Sequence, residues 1–550
     1  LFDRAVALLR DGRSEEALTL TGGASDPQLR RLQGYVLQQL GRNGEAAAAY
    51  EAAVAAAPDD FESWNNLGNC RLALGDAAGA VTALRRAAEL APAQAQAPVN
   101  ANLARALEAA GDDAGRRAAL AEAVRLAPHQ PGLRVELGLA CAALQDFGAA
   151  EAEYRAALRT DPSWLPAVIE LGMLLEHLNR VGEFEALVAQ AEQLWPDSGE
   201  IGFLKAWLLR RQRRYREALD LAERSPPTLA PGRRAQLIGE AADRLGLSER
   251  AFTAFAEMNA IARSAMPPAP GPSYREAVAA SAARLTPQWV ASWARIALPP
   301  GRPDPIFIVG FPRSGTTLLD TLLMNLPELH VLEEVPALGR VQEALGDEAR
   351  LATLTAGEVA DLRRLYFEAV EALAPPRAGQ RLVDKYPLNM ARMPLVHRLF
   401  PDAAIVFVER HPCDAVLSCF IANFSLNFAM RSFLDLDEAA RTYDAVFEAW
   451  SRAESVLPLK VHRVRYERMV EDPAAELRPL LAFLGLEWSD ALLDNAGSAA
   501  RRGYIATPSY HQVAEPITAQ AVGRWRRYRT QLAPVLPVLA PWAERMGYPL

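Results

Sequence analysis

The sequence predicts an all-α solenoid of helix hairpins followed by an α/β domain built on a parallel sheet. Three observations predict it. Prolines closing Ala- and Leu-rich segments fall at Pro58, Pro92, Pro128, Pro162 and Pro196, in steps of 34, 36, 34 and 34, the period of a helix–turn–helix repeat. After a Pro- and Gly-dense break at residues 266–274, strand signals alternate with helical ones, as they do when helices cover a parallel sheet. The first of those strands, residues 306–309, runs through Gly310 and a short loop into Gly315, Thr316 and a helical pattern, which reads as strand, turn and helix N-terminus.

The repeats agree in residue type as well as in period. Trp64, Leu67, Gly68, Ala80, Leu84, Ala87 and Pro92 recur at the same offsets as Leu137, Gly138, Ala150, Tyr154, Ala157 and Pro162, and again as Gly34, Ala46, Tyr50, Ala53 and Pro58. Small residues at these positions let helices approach closely, large ones fill the gaps, and proline ends the second helix. The unit at 94–128 has a longer entry, and from about residue 197 the pattern weakens, as terminal repeats often do. We take residues 1–265 as the solenoid, 266–299 as a Pro-rich linker with a connecting helix over 274–297, and 300–550 as the second domain.

In that domain the expected strands are 306–309, 329–334, 381–387, 403–410 and 461–470. A parallel sheet binds ligands at the carboxyl ends of its strands. Gly310 and Gly315 permit close backbone approach, and the first N–H groups of the following helix point at whatever anion sits there. A nucleoside-triphosphate loop would place Lys after its second glycine, whereas Gly315 is followed by Thr316 and Thr317, and the cation, Arg313, comes earlier. This pattern predicts phosphate or sulfate binding without ordinary nucleotide hydrolysis.

Composition bounds the rest. A chain of 550 residues is too long for one core. Half of its residues are apolar with no uninterrupted apolar run of 18, which predicts a globular chain without a transmembrane segment. A net charge of −8 argues against nucleic acid, so an anionic ligand needs a local basic cluster. Cys70, Cys141, Cys413 and Cys419 are scattered without metal-site spacing; they read as buried thiols of a reducing, cytoplasmic setting, and no metal is expected. Leu1 in place of an initiator methionine leaves the native N-terminus open.

These motifs carry two resemblances. Residues 1–265 resemble tetratricopeptide repeats. The loop IVGFPRSGTTLLDTLL looks like the 5′-phosphosulfate loop of the sulfotransferase superfamily, and VFVERHPCDAVLSCF looks like its 3′-phosphate motif, with Arg410 ending a strand and Ser418 eight residues on. The similarity runs over residues 300–550 and is most like the tyrosylprotein sulfotransferase branch. It implies 3′-phosphoadenosine 5′-phosphosulfate (PAPS) as donor and 3′,5′-ADP as product. It also implies roles. Arg313, Ser314, Gly315, Thr316 and Thr317 would hold the 5′-phosphate and sulfuryl oxygens; Arg410 and Ser418 would clasp the 3′-phosphate. Glu334, the second member of a Glu-Glu pair, would be the general base, with His330 as the alternative used elsewhere in the superfamily. Lys385 would neutralise the leaving oxygen, Ser509 would bond the transferring group, and Tyr466 would lie near the adenosine. Arg524, before Trp525, would replace the lysine that the branch places there as a cation at the cofactor. The implied acceptor bears a hydroxyl, on a peptide, a protein tyrosine or another molecule, and the concave face of the repeats would bind a partner protein; a homodimer is a further expectation. A catalytically dead scaffold and a P-loop kinase remain the other readings.

Overall fold

The computed structural model describes all residues except 24, 267–270, 297–301, 374, 376, 378 and 495–516. The chain divides into two compact units, Leu1–Leu208 and Leu209–Leu550.

The first unit is a succession of helix pairs, among them Pro27–Gln39 with Asn43–Ala56, Phe61–Ala73 with Ala77–Leu90, and Pro131–Ala143 with Phe147–Thr160. The recurring glycines explain how tightly each pair packs. A Cβ added to Gly34 would lie 2.8 Å from the Tyr50 ring, one at Gly68 2.4 Å from Leu84, and one at Gly138 2.3 Å from Tyr154. In each case a glycine of the first helix receives the large residue sixteen positions later. Gly138→Val is therefore expected to lower the urea unfolding midpoint, by about 1–3 kcal/mol of overpacking. Gly148→Val, on the partner helix with nothing within 4 Å of its added Cβ, should leave the midpoint unchanged or raise it. Equal midpoints for the two variants would refute the packing account.

The second unit begins ahead of the Pro-rich stretch. Its repeat-like hairpin consists of α1 (Pro231–Arg244) and α2 (Ser248–Ser264), and it carries the same signature, since a Cβ on Gly239 would meet the Phe255 ring at 2.7 Å. Within the expected linker, α3 (Tyr274–Arg284) starts on a capping box of Ser273 and Glu276. Leu285, Thr286 and Pro287 interrupt the helix anticipated over 274–297, leaving a short helix at Pro287–Ala291.

Five parallel strands follow, β1 (Ile306–Gly310), β2 (Leu329–Glu333), β3 (Arg381–Lys385), β4 (Ala404–Glu409) and β5 (Lys460–Arg465), in the order β2-β3-β1-β4-β5. Central β1 is buried throughout, as a strand covered on both faces must be. Helices α4 (Thr316–Leu323), α5 (Pro412–Phe420), α6 (Leu436–Val456) and α7 (Tyr466–Glu471) follow β1, β4 and β5. Leu319, Leu322 and Leu323 of α4 pack with Ile306, Ile308, Val383 and Val406 in one apolar layer. Helix α3 packs on α6, where Arg275 pairs with Glu438 at 3.0 Å.

A second element departs from the sequence reading. The strand expected over 461–470 ends at Arg465, which pairs with Glu409, the last residue of β4. Beyond it no backbone is left to pair with, so the chain turns into α7 and buries Met469 and Val470 instead.

Register collects the strand ends at one edge. Glu333 lies opposite Lys385, Ile308 opposite Lys385 from the other side, Gly310 opposite Val408, and Glu409 opposite Arg465. Among the described residues no helix is long and apolar enough to cross a membrane. All four cysteines are buried and unbridged.

Candidate active site

The loop between β1 and α4 owes its path to two glycines and one strained arginine. A Cβ on Gly310 would lie 2.6 Å from the Val408 carbonyl oxygen, so no larger residue fits there. Gly315 has φ 98°, and its Cβ would come within 2.4 Å of the Tyr466 ring. Arg313 takes the left-handed region with φ 67°, a conformation that costs a non-glycine residue about 1–3 kcal/mol. Contacts from α5 and its approach hold it there: Arg313 Nε donates to Ser418 Oγ at 3.2 Å, and Arg313 O accepts from Arg410 Nη1 at 2.6 Å. Burial, assisted by the like charges of Arg410 and Arg524, lowers the Arg313 guanidinium from its ordinary value to about 10.

Arg410 is 6 % exposed. Its second fork nitrogen, Nη2, donates to Ala521 O at 2.7 Å, and its guanidinium lies 4.6 Å from the Tyr466 ring centroid, within cation–π range. Its Nε is buried with no hydrogen-bond partner among the described residues. A buried charged N–H left unpaired is costly, and an anion seated there would satisfy it. Ser314, Thr316, Thr317 and Ser418 are buried around the same loop.

A second cluster forms across the edge at Lys385. Its ammonium is fully buried and meets Asp320 at 3.2 Å, Glu333 at 3.4 Å and Glu334 at 2.9 Å, with Thr317 Oγ1 at 3.4 Å. Burial alone would lower the Lys385 pKa; Asp320, Glu334 and Glu333 outweigh it and raise it. Glu334 follows β2 in the left-handed region, φ 51°, and its N–H donates to Lys385 O at 2.8 Å. The Glu334 side chain is 39 % exposed and that of Glu333 13 %, so of the pair Glu334 is the more open to an incoming hydroxyl. His330 pairs in register with Leu382, about 10 Å along β2 from the Glu333 level and alternating to the other face. Neighbouring Asp384 is buried, accepts from Tyr366 OH at 2.8 Å, and is pushed by burial up to about 6.

The structure thus gathers Arg313, Ser314, Gly315, Thr316, Thr317, Arg410, Ser418 and Tyr466 about one loop and sets Lys385 with Glu334 beside it. Ser509 lies outside the described residues. Arg524, expected at the nucleotide, is held by Asp243, with Nη2 to Oδ2 at 2.8 Å. Sequence reasoning passed over Asp320, although a carboxylate inside the apolar run LLDTLL was a signal. It also passed over Asp414, which lies one turn past Arg410, and Asp243, for which no local signal exists. No group of residues suited to holding a metal occurs among the described residues.

Residues 305–490 match the sulfotransferase family model, and residues 31–95 and 135–199 match a tetratricopeptide repeat model. The second unit carries a sulfotransferase-family domain. An uncharacterized protein of Aquifex aeolicus (strain VF5) is 27 % identical over 261 residues, 44 % of this chain and 33 % of its own length. Protein-tyrosine sulfotransferase 1 of Danio rerio is 27 % identical over 266 residues, 44 % of this chain and 72 % of that protein. The chain therefore spans about a third of the Aquifex relative and nearly three quarters of the fish one. Among solved structures, the sulfotransferase domain of the Synechococcus PCC 7002 olefin synthase is 25 % identical and covers 47 % of this chain and 100 % of that one, with a TM-score of 0.33. In the sulfotransferase-family domain of this chain, the matched span holds the loop, both glutamates, Lys385, Arg410, Ser418 and Tyr466.

Proposed function

We propose that the second unit transfers a sulfuryl group from PAPS to an acceptor hydroxyl, and that the acceptor is a peptide or protein, tyrosine among the candidates. The observation that carries this reading is Arg410: buried, held at both fork nitrogens, and with its Nε–H unpaired beside Arg313 and Ser418 among the described residues. That is a site for a second anion in addition to the one at the α4 N-terminus, and a nucleotide with both 3′- and 5′-phosphates offers two.

The donor supplies an activated sulfuryl group on a phosphate oxygen. Glu334 takes the hydroxyl proton as the acceptor oxygen forms its bond to sulfur. Lys385 offsets the charge that collects on the bridging oxygen as the old sulfur–oxygen bond breaks, and Thr316, Thr317 and the first N–H groups of α4 stabilise the charge spread over the transferring group. The proton ends on Glu334, the sulfuryl group on the acceptor, and 3′,5′-ADP leaves. We further read the repeats as the part that recruits the acceptor or a partner protein.

A thermal-shift series tests the donor. At equal concentration 3′,5′-ADP should raise the melting temperature clearly, while 5′-AMP and ATP should raise it far less, because protection scales with affinity. Equal protection by ATP would favour a kinase and end the sulfotransferase reading.

A further inference from the structure

The last repeat-like hairpin contacts the turn that follows Ala521, the residue whose carbonyl oxygen holds Arg410. Asp243, near the end of α1, is 3 % exposed. Its carboxylate accepts from Arg524 Nη2 at 2.8 Å, Arg527 Nη2 at 3.0 Å and Tyr528 OH at 2.6 Å, and its backbone carbonyl accepts from Arg527 Nη1 at 2.8 Å. All three partners belong to the single turn Arg524–Tyr528. A carboxylate taken out of water is tolerated only when it is paired in this way, so the turn and the hairpin are fixed to each other.

The same turn is held from a second side. Asp414, in the first turn of α5, accepts from the N–H groups of Gly523 at 2.7 Å and Trp525 at 2.8 Å. Immediately upstream, Ala521 O is the acceptor that orients Arg410. Helix α2 secures the other end of α5, the helix that carries Ser418: Asn259 Nδ2 donates to Phe420 O at 2.8 Å, and Phe252 stacks on Phe420 at 5.1 Å.

We propose that Asp243 is a positioning residue for the 3′-phosphate clasp, holding the 519–528 segment so that Ala521 O fixes the fork of Arg410. The proposal rests on the PAPS reading above. A guanidinium is a planar fork, and one fixed at both terminal nitrogens keeps its Nε–H aimed. With Ala521 O displaced, only the bond to Arg313 O remains, and the fork can turn. The role has a sign that charge alone does not give. Removing a negative group near an anion site should tighten anion binding by simple Coulomb attraction, whereas a lost positioning residue should weaken it.

The test uses the full chain with Asp243→Asn, and Arg527→Gln as a second variant. Arg527 is 42 % exposed, so its replacement spares the fold even if the buried substitution does not. Calorimetric titration should show 3′,5′-ADP binding weakened by about tenfold in Asp243→Asn, the scale of one charged hydrogen bond. Affinity for 5′-AMP, which lacks the 3′-phosphate, should change less than about twofold, and Arg527→Gln should shift 3′,5′-ADP in the same direction by less. Without nucleotide, the amides of Gly523 and Trp525 should exchange with solvent at least about tenfold faster in Asp243→Asn. Unchanged or tighter 3′,5′-ADP binding overturns the proposal. So does an equal loss for both nucleotides, which marks a purely structural residue. If the unsubstituted chain binds 5′-AMP as tightly as 3′,5′-ADP, the donor reading itself fails, while the nucleotide-free exchange rates still decide whether Asp243 holds the turn.

Discussion

Replacing Glu334 by glutamine is expected to cut turnover by about 10²–10⁴, the usual weight of a general base, with 3′,5′-ADP affinity nearly unchanged. The amide can still accept from Lys385 Nζ, now at 2.9 Å from Glu334 Oε1, so the cluster keeps its shape and only the proton acceptor is lost. His330→Ala should turn over close to the unsubstituted rate, since His330 lies upstream on β2, away from Lys385 and the loop. Initial rates with saturating donor separate the two cases. Turnover that survives Glu334→Gln and collapses in His330→Ala would move the base to histidine.

Lys385→Met should be damaging twice over. Methionine fills the same space without charge and takes the shared cation away from Asp320, Glu333 and Glu334; removing one partner of a buried ion pair costs roughly 3–5 kcal/mol. The Lys385 pKa is raised in the fold, so this stabilisation is fully present below the unfolded value of about 10.4 and is lost only as pH rises through the folded one. Urea midpoints should therefore fall throughout the neutral range. Turnover should drop by a further factor of about 10²–10³ from the lost charge at the leaving oxygen. Adding Asp320→Asn removes one of the buried negative charges and should recover part of the midpoint and none of the turnover. A double variant that regained activity would assign Lys385 to stability alone.

How far the sequence reached depended on how local each cause was. The Gly34–Tyr50, Gly68–Leu84 and Gly138–Tyr154 contacts lie within one repeat and show as period and residue type. The fourth, Gly239–Phe255, has the same sixteen-residue spacing within the weaker part of the pattern, and nothing along the chain tells that this hairpin groups with the second unit. The ends of β3 and β4, read at 387 and 410 and found at Lys385 and Glu409, were legible to within two residues because apolar runs stop near charged residues there. The end of β5 at Arg465 was not, because it is set by where the neighbouring strand runs out. The loop residues, Lys385, Glu334 and Arg410 stand in contiguous motifs, and the structure brings them together. Arg524 also stands in a recognisable stretch, yet its partner Asp243 lies 281 residues away, and no pattern along the chain announces such a pair.

The placement of α1 and α2 in the second unit also bears on how such a chain can vary in length. Whole repeats can be gained or lost between Leu1 and Leu208, because in a solenoid each repeat mainly contacts its neighbours. The hairpin 231–264 has no such freedom. Lineages that differ in repeat number should therefore keep this final copy, with its aspartate, as the fixed end of an otherwise expandable array.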